Sequence, residues 1–262
     1  MGDEGTELSD PLSKKKLGVS GCGFWTKRDA LRDLATVNHA TGVFGGGDGA
    51  LQDVLRALTR FEHPLEMWHA LRRHDPSLIP LLDAEMPALS AQEQQHRLVA
   101  IWHPTQDGAR AVTVDGACKR LAIRLSADPR VQQGIAACLR TGAGSVDHFV
   151  LEHHFGKAYL LNRFLVHLIA ACATLGALPA SCMNYRLHLG SHAVAACNPG
   201  SKRRYQVTVQ QPHGTIDHHF DHIAVRFGPT GAPALQLVTL SKDDKALRTS
   251  LSGLQLPFVV PD

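Results

Sequence analysis

Two side chains of complementary chemistry fall at matching places in neighbouring strand-like runs. His192 opens the run His-Ala-Val-Ala-Ala-Cys, and Gln210 and Gln211 close the run Tyr-Gln-Val-Thr-Val-Gln-Gln. Asn198-Pro199-Gly200-Ser201 between them supplies turn residues, so the spacing predicts a hairpin with an imidazole and a carboxamide at one edge. Such a pair can hold hydroxyl groups or orient a base. Upstream, Tyr185, Leu187 and Leu189 alternate with Arg186 and His188, the period of a half-buried strand. On such a strand Arg186 could grip a pyrophosphate at two points.

Two other constellations compete with this one. Cys22, in Ser-Gly-Cys-Gly-Phe-Trp, immediately precedes an expected helix whose amino-terminal dipole would lower a thiol pKa. With His192 as base and Gln210 or Gln211 as orienter this forms a nucleophile, base and orienter set. The Cys-Gly-Phe-Trp and His-Ala-Val-Ala elements resemble papain-like enzymes, with glutamine where that family has asparagine or aspartate. A buried structural Cys22 is the plainer alternative. His218 and His222 would meet on a helix, but their strand-like context spreads them about 10 Å or more apart, so no metal site is expected.

The elements that must position these groups fall into a helical front and a stranded back. The 262 residues can bury a sizeable core, and a net charge of +3 is too weak to argue for nucleic acid. Six cysteines without a CxxC pair suit a reducing compartment, and no run reaches membrane-spanning length. Residues 1–16 read as a disordered leader, and residues 17–262 as one catalytic domain with a helical part to about 178 and strands from 181. Helices are expected from Thr26, from Asp48 with Leu51, Val54, Leu55 and Leu58 as its stripe, from Pro64, from a Ser90/Glu93 capping box, over 130–139, and as a long helix or pair over 146–176. Short strands are expected at 99–102, 111–114, 234–240 and 256–260, with a helix over 243–251. The glycine run 45–49 lacks the GK[ST] ending of a phosphate loop and reads as a linker. Helices followed by strands predict an α+β fold whose helical amino-terminal half packs on a mainly antiparallel sheet from the carboxy-terminal half.

The segment His192-Ala-Val-Ala, then Tyr205-x-Val-x-Val, then Gln211-Pro-His-Gly-Thr-Ile-Asp-His218 resembles the enterotoxin-2/OspC-like type III effectors of Shigella. Pro212, Thr215 and His218 fall at that family's spacing, while Gln211 replaces its aspartate and His213 its asparagine. The resemblance covers about 30 residues. It implies an ADP-ribosyltransferase-like fold and a secreted effector acting in the host cytosol. The implied enzyme consumes NAD to transfer ADP-ribose to a host protein, ubiquitin at a threonine among the candidates. It further implies that His192, Gln211 and Asp217 are catalytic and that Tyr185, Arg186, His218 and Phe220 line the NAD pocket. No glutamate follows Glu152, so Asp217 or Asp221 would stand in for that of other ADP-ribosyltransferases. The alternatives are a Cys22-His192-Gln211 deamidase or protease and a non-enzymatic host-protein binder.

Overall fold

The computed structural model describes residues 7–22, 31, 37–98, 104–156, 158–198 and 204–227. Strands β1 (Glu7–Ser9) and β2 (Lys16–Ser20) form an antiparallel ribbon. Strand β3 (Ala40–Phe44) leads into helix α1 (Asp48–Leu58), followed by α2 (Pro64–His74), α3 (Leu78–Leu98), α4 (Pro104–Ser126) and α5 (Pro129–Cys138). Then come β4 (Ser145–Val150), α6 (Leu160–Thr174), β5 (Asn184–Leu189), β6 (His192–Cys197), β7 (Tyr205–Gln211), β8 (Gly214–Phe220) and β9 (His222–Val225).

The protein is a mixed α and β fold built on a parallel sheet of order β5-β4-β3-β9. Helices cover one face of it, and the antiparallel meander β6-β7-β8 covers the other. Strand β3 is buried at all five positions because it is covered on both sides: Val43 packs among the helices, while Ala40 and Phe44 pack among meander residues. In β4, Val146 and Val150 join the helical layer, and Phe149 joins the meander side. Gly42 makes the second contact possible, since a methyl there would meet the Phe220 ring at 2.9 Å.

Helix α1 buries Leu51, Val54, Leu55 and Leu58 on its sheet-facing stripe, each contributing roughly 2 kcal/mol by leaving water. Helix α6 is buried along most of its length and packs on α1, α4 and β5. Helices α2 and α5 begin on proline, with His63 Nδ1 and Asp128 accepting from the Leu65 and Arg130 amides.

Several expectations are corrected. The principal sheet is parallel and draws strands from both halves of the chain, so an antiparallel sheet confined to the carboxy-terminal half describes only the meander. Residues 145–150 are a strand where a helix was expected, and 111–114 lie inside α4. The helix expected from Ser90 starts at Leu78 and carries Pro87 within it. Residues 7–9 pair with 16–20, with Leu8 fully buried, so positions 7–9 and 16 of the expected disordered leader are structured. The strands expected at 99–102, 234–240 and 256–260, the helix over 243–251 and most of the helix from Thr26 fall outside the described residues.

Candidate functional site

Three consecutive glycines connect β3 to α1. Gly45 has φ +138°, and a methyl there would run into the Arg226 carbonyl; a methyl on Gly46 would meet Val150 Cγ1 at 2.6 Å. The run is therefore a tight strand-to-helix turn and not a linker. Its spacing, Gly45-x-Gly47-x-x-Ala50, matches the Gly-x-Gly-x-x-Gly/Ala pattern seen in dinucleotide-binding turns, and Ala50 is fully buried. That signal was present in the sequence, but a long helical insertion separates it from its partner strand.

The turn's carbonyls are all hydrogen-bonded, that of Gly45 into the core. His148 Nε2 donates to Gly45 O at 2.7 Å, and the Gly156 amide donates to Gly46 O at 2.8 Å. Gly47 O accepts the Leu51 amide at 3.1 Å in the first turn of α1. The amides that open α1 have no carbonyl four residues back within the helix, and they carry its positive end. Asp48, the acid in that first turn, is spent on structure: its carboxylate accepts from Tyr159 N at 3.0 Å, Asn162 Nδ2 at 2.6 Å and Gln52 Nε2 at 2.8 Å.

The loop after β4 completes this edge. Glu152 is exposed, and its Oε2 lies 3.8 Å from where a Gly46 methyl would sit. Arg163 of α6 holds the loop by donating to the carbonyls of Phe155 at 2.8 Å, Gly156 at 2.7 Å and Ala158 at 3.2 Å. Asp115 of α4 pairs with Arg163 at 3.3 Å and with His167 at 2.9 Å. Burial pushes the Asp115 carboxyl up, but His167 and Arg163 outweigh it and leave its pKa below the usual value. Across the turn, Arg226 follows β9 and pairs with buried Asp53 of α1 at 2.9 Å. All these loops follow the carboxyl ends of parallel strands. The chain leaves β3 for β4 and β5 on one side and returns to β9 on the other, which makes the crevice beside β3 a topological switch point.

A second polar cluster lies between the parallel sheet and the meander. Asp147 of β4 accepts from Arg186 Nε and Nη2 at 2.6 Å each and from His188 Nε2 at 2.9 Å. Burial pushes the Asp147 carboxyl up, but those donors prevail and hold it at about 2. His188 stacks on Phe149 with ring centres 4.7 Å apart and meets the edge of His218 at 5.7 Å. Burial lowers the His218 pKa. Asp147 and His188 were missed in the sequence because their strands pair only in the fold.

The expected hairpin exists, but it does not gather the expected site. His192 lies opposite Gln210, so Gln211, one residue on, projects from the other face. His192 Nε2 is 3.8 Å from Asp10, and its buried Nδ1 has no hydrogen-bond partner among the described residues. Gln211 Nε2 instead approaches His218 at 3.4 Å. Asp217 accepts from Thr208 at 2.6 Å and Gln206 at 3.2 Å. Tyr185 faces the helices and Phe220 the parallel sheet, 4% and 1% exposed, so neither presents a free ring face. Arg186 is committed to Asp147. The half-buried Cys22 has its amide on the Ile223 carbonyl at 2.9 Å, and its own carbonyl accepts from Arg226 at 3.0 Å. No protein family, curated protein or solved structure matches the chain.

Proposed function

We propose that the chain is an adenine-dinucleotide enzyme that binds NAD(H) or FAD at the carboxyl edge of its parallel sheet and uses it for hydride transfer. One observation carries the reading: a Gly-x-Gly-x-x-Ala turn between a buried parallel strand and a helix, its Gly45 carbonyl bonded into the core, sits at a switch point beside an acidic side chain. The pyrophosphate would take the amides of Gly47, Asp48 and Gly49 at the positive end of α1. Glu152, at the tip of the neighbouring strand, would accept from the ribose hydroxyls of the adenosine half. That preference disfavours a ligand with a 2′-phosphate.

Calorimetric titration of the full chain with NAD, FAD, NADP and S-adenosylmethionine tests this. Saturable binding of NAD or FAD, with NADP at least about tenfold weaker, is the expected result. Binding of S-adenosylmethionine alone would replace hydride transfer by group transfer from a sulfonium, and binding of none would end the reading.

A second reading keeps NAD as the ligand. On it the chain has an ADP-ribosyltransferase-like fold and is a secreted effector transferring ADP-ribose to a host protein, ubiquitin among the candidates. It is supported by the effector-like hairpin and by His192 standing across from a glutamine. Release of nicotinamide with labelling of a lysate protein by biotinylated NAD would favour it over hydride transfer.

A further inference from the structure

Tyr185 and His148 lie beneath the glycine turn and touch no open surface, yet they bond in series to it. The Gly45 carbonyl can only accept, so His148 Nε2, 2.7 Å away, carries the ring proton. Nδ1 of the neutral ring is then bare and accepts from the Tyr185 hydroxyl at 3.0 Å. Burial keeps this imidazole neutral by lowering its pKa to about 4, and burial likewise raises the Tyr185 phenol well above its ordinary value. Both protonation states, and hence the direction of both bonds, are fixed across the physiological range. The ring is also fixed in place, stacked on Phe155 with centres 5.6 Å apart.

The geometry points to Tyr185 and His148 as positioning residues of the dinucleotide site: a hydroxyl-imidazole relay that turns the Gly45 carbonyl away from the crevice and so aims the turn's amides at a pyrophosphate. This rests on the dinucleotide reading and adds a specificity that reading does not contain. The relay acts on the part of the ligand that meets the turn, and not on the adenosine that meets Glu152. A pyrophosphate ligand pointed at a carbonyl oxygen would be repelled; pointed at amides it is held.

The test measures affinities of the full chain for NAD, ADP and adenosine in wild type, Tyr185→Phe and His148→Phe, with the thermal midpoint of each. Tyr185→Phe removes one oxygen from the core and is expected to weaken NAD and ADP about three- to tenfold while leaving adenosine unchanged. His148→Phe is expected to weaken them further, again sparing adenosine. Equal losses for all three ligands would reduce the pair to ordinary core support, and unchanged NAD affinity in Tyr185→Phe would overturn the relay even if His148→Phe fails to fold. Absence of NAD, FAD and ADP binding to wild type would instead sink the underlying reading.

Discussion

Asp147 and Arg186 are register partners on adjacent parallel strands, and their side chains meet in two bonds of 2.6 Å, one to each carboxylate oxygen. The carboxylate is buried and the guanidinium half-exposed, so the pair locks β4 to β5 at the open edge between the two sheets.

Removing that carboxylate should be costly. Asp147→Ala leaves Arg186 and His188 without their shared acceptor and is expected to lower unfolding stability by about 2–3 kcal/mol, the exposed side of Arg186 moderating the loss. Urea denaturation at pH 7 measures it. The folded pKa of about 2 lies below the ordinary carboxyl value. The contribution is therefore present at neutral pH and lost as pH falls from about 4 towards 2. Wild type and Asp147→Asn should converge in stability over that window.

His148 predicts a different pH window. Its folded pKa, about 4, is depressed from the usual 6.5, so the unfolded chain takes up a proton first as pH falls. Stability should decline between about pH 6.5 and 4 by at most about 3 kcal/mol from this group. His148→Gln should show a shallower slope in that interval than wild type, and identical slopes would remove the group from the account.

Gly45 and Gly46 of the turn tolerate no side chain. Gly46→Ala drives a methyl towards Val150, and Gly45→Ala places one on the Arg226 carbonyl at an unfavourable φ. Each is expected to reduce dinucleotide affinity more than about tenfold in titration calorimetry. Glu152→Gln, on the surface, should leave the thermal midpoint within a degree or so while narrowing the preference for NAD over NADP about tenfold.

The hairpin separates the two proposed reactions. His192→Ala and Asp217→Asn lie on the meander and should leave dinucleotide affinity within about twofold of wild type if the glycine turn holds the ligand. A loss of tenfold or more from either would favour the ADP-ribosyl transfer reading, and release of nicotinamide from NAD measures that activity directly.

Where the sequence carried a local period, it was legible. The α1 stripe, the proline that starts α2, the helix over 130–139 and the alternation of Tyr185, Leu187 and Leu189 all correspond to observed elements. The parallel sheet was not legible, because β3 and β4 are covered on both faces and lack alternation; β4 even carries Asp147 and His148 inside a buried run. Glu152 was mute for a related reason: helices α2 to α5 intervene between it and the glycine turn it faces. The hairpin's register was foreseen to within one residue, and that one residue sends Gln211 to the opposite face from His192.

The order in which the central strands appear bears on biosynthesis. Strand β3 is translated before both of its neighbours, β4, which starts at Ser145, and β9, which ends at Val225. Until residue 225 has emerged, the nascent chain carries a sticky apolar ribbon with one flank bare, open to pairing with another polypeptide. Chains cut short before β9 are expected to go to inclusion bodies and to engage chaperones.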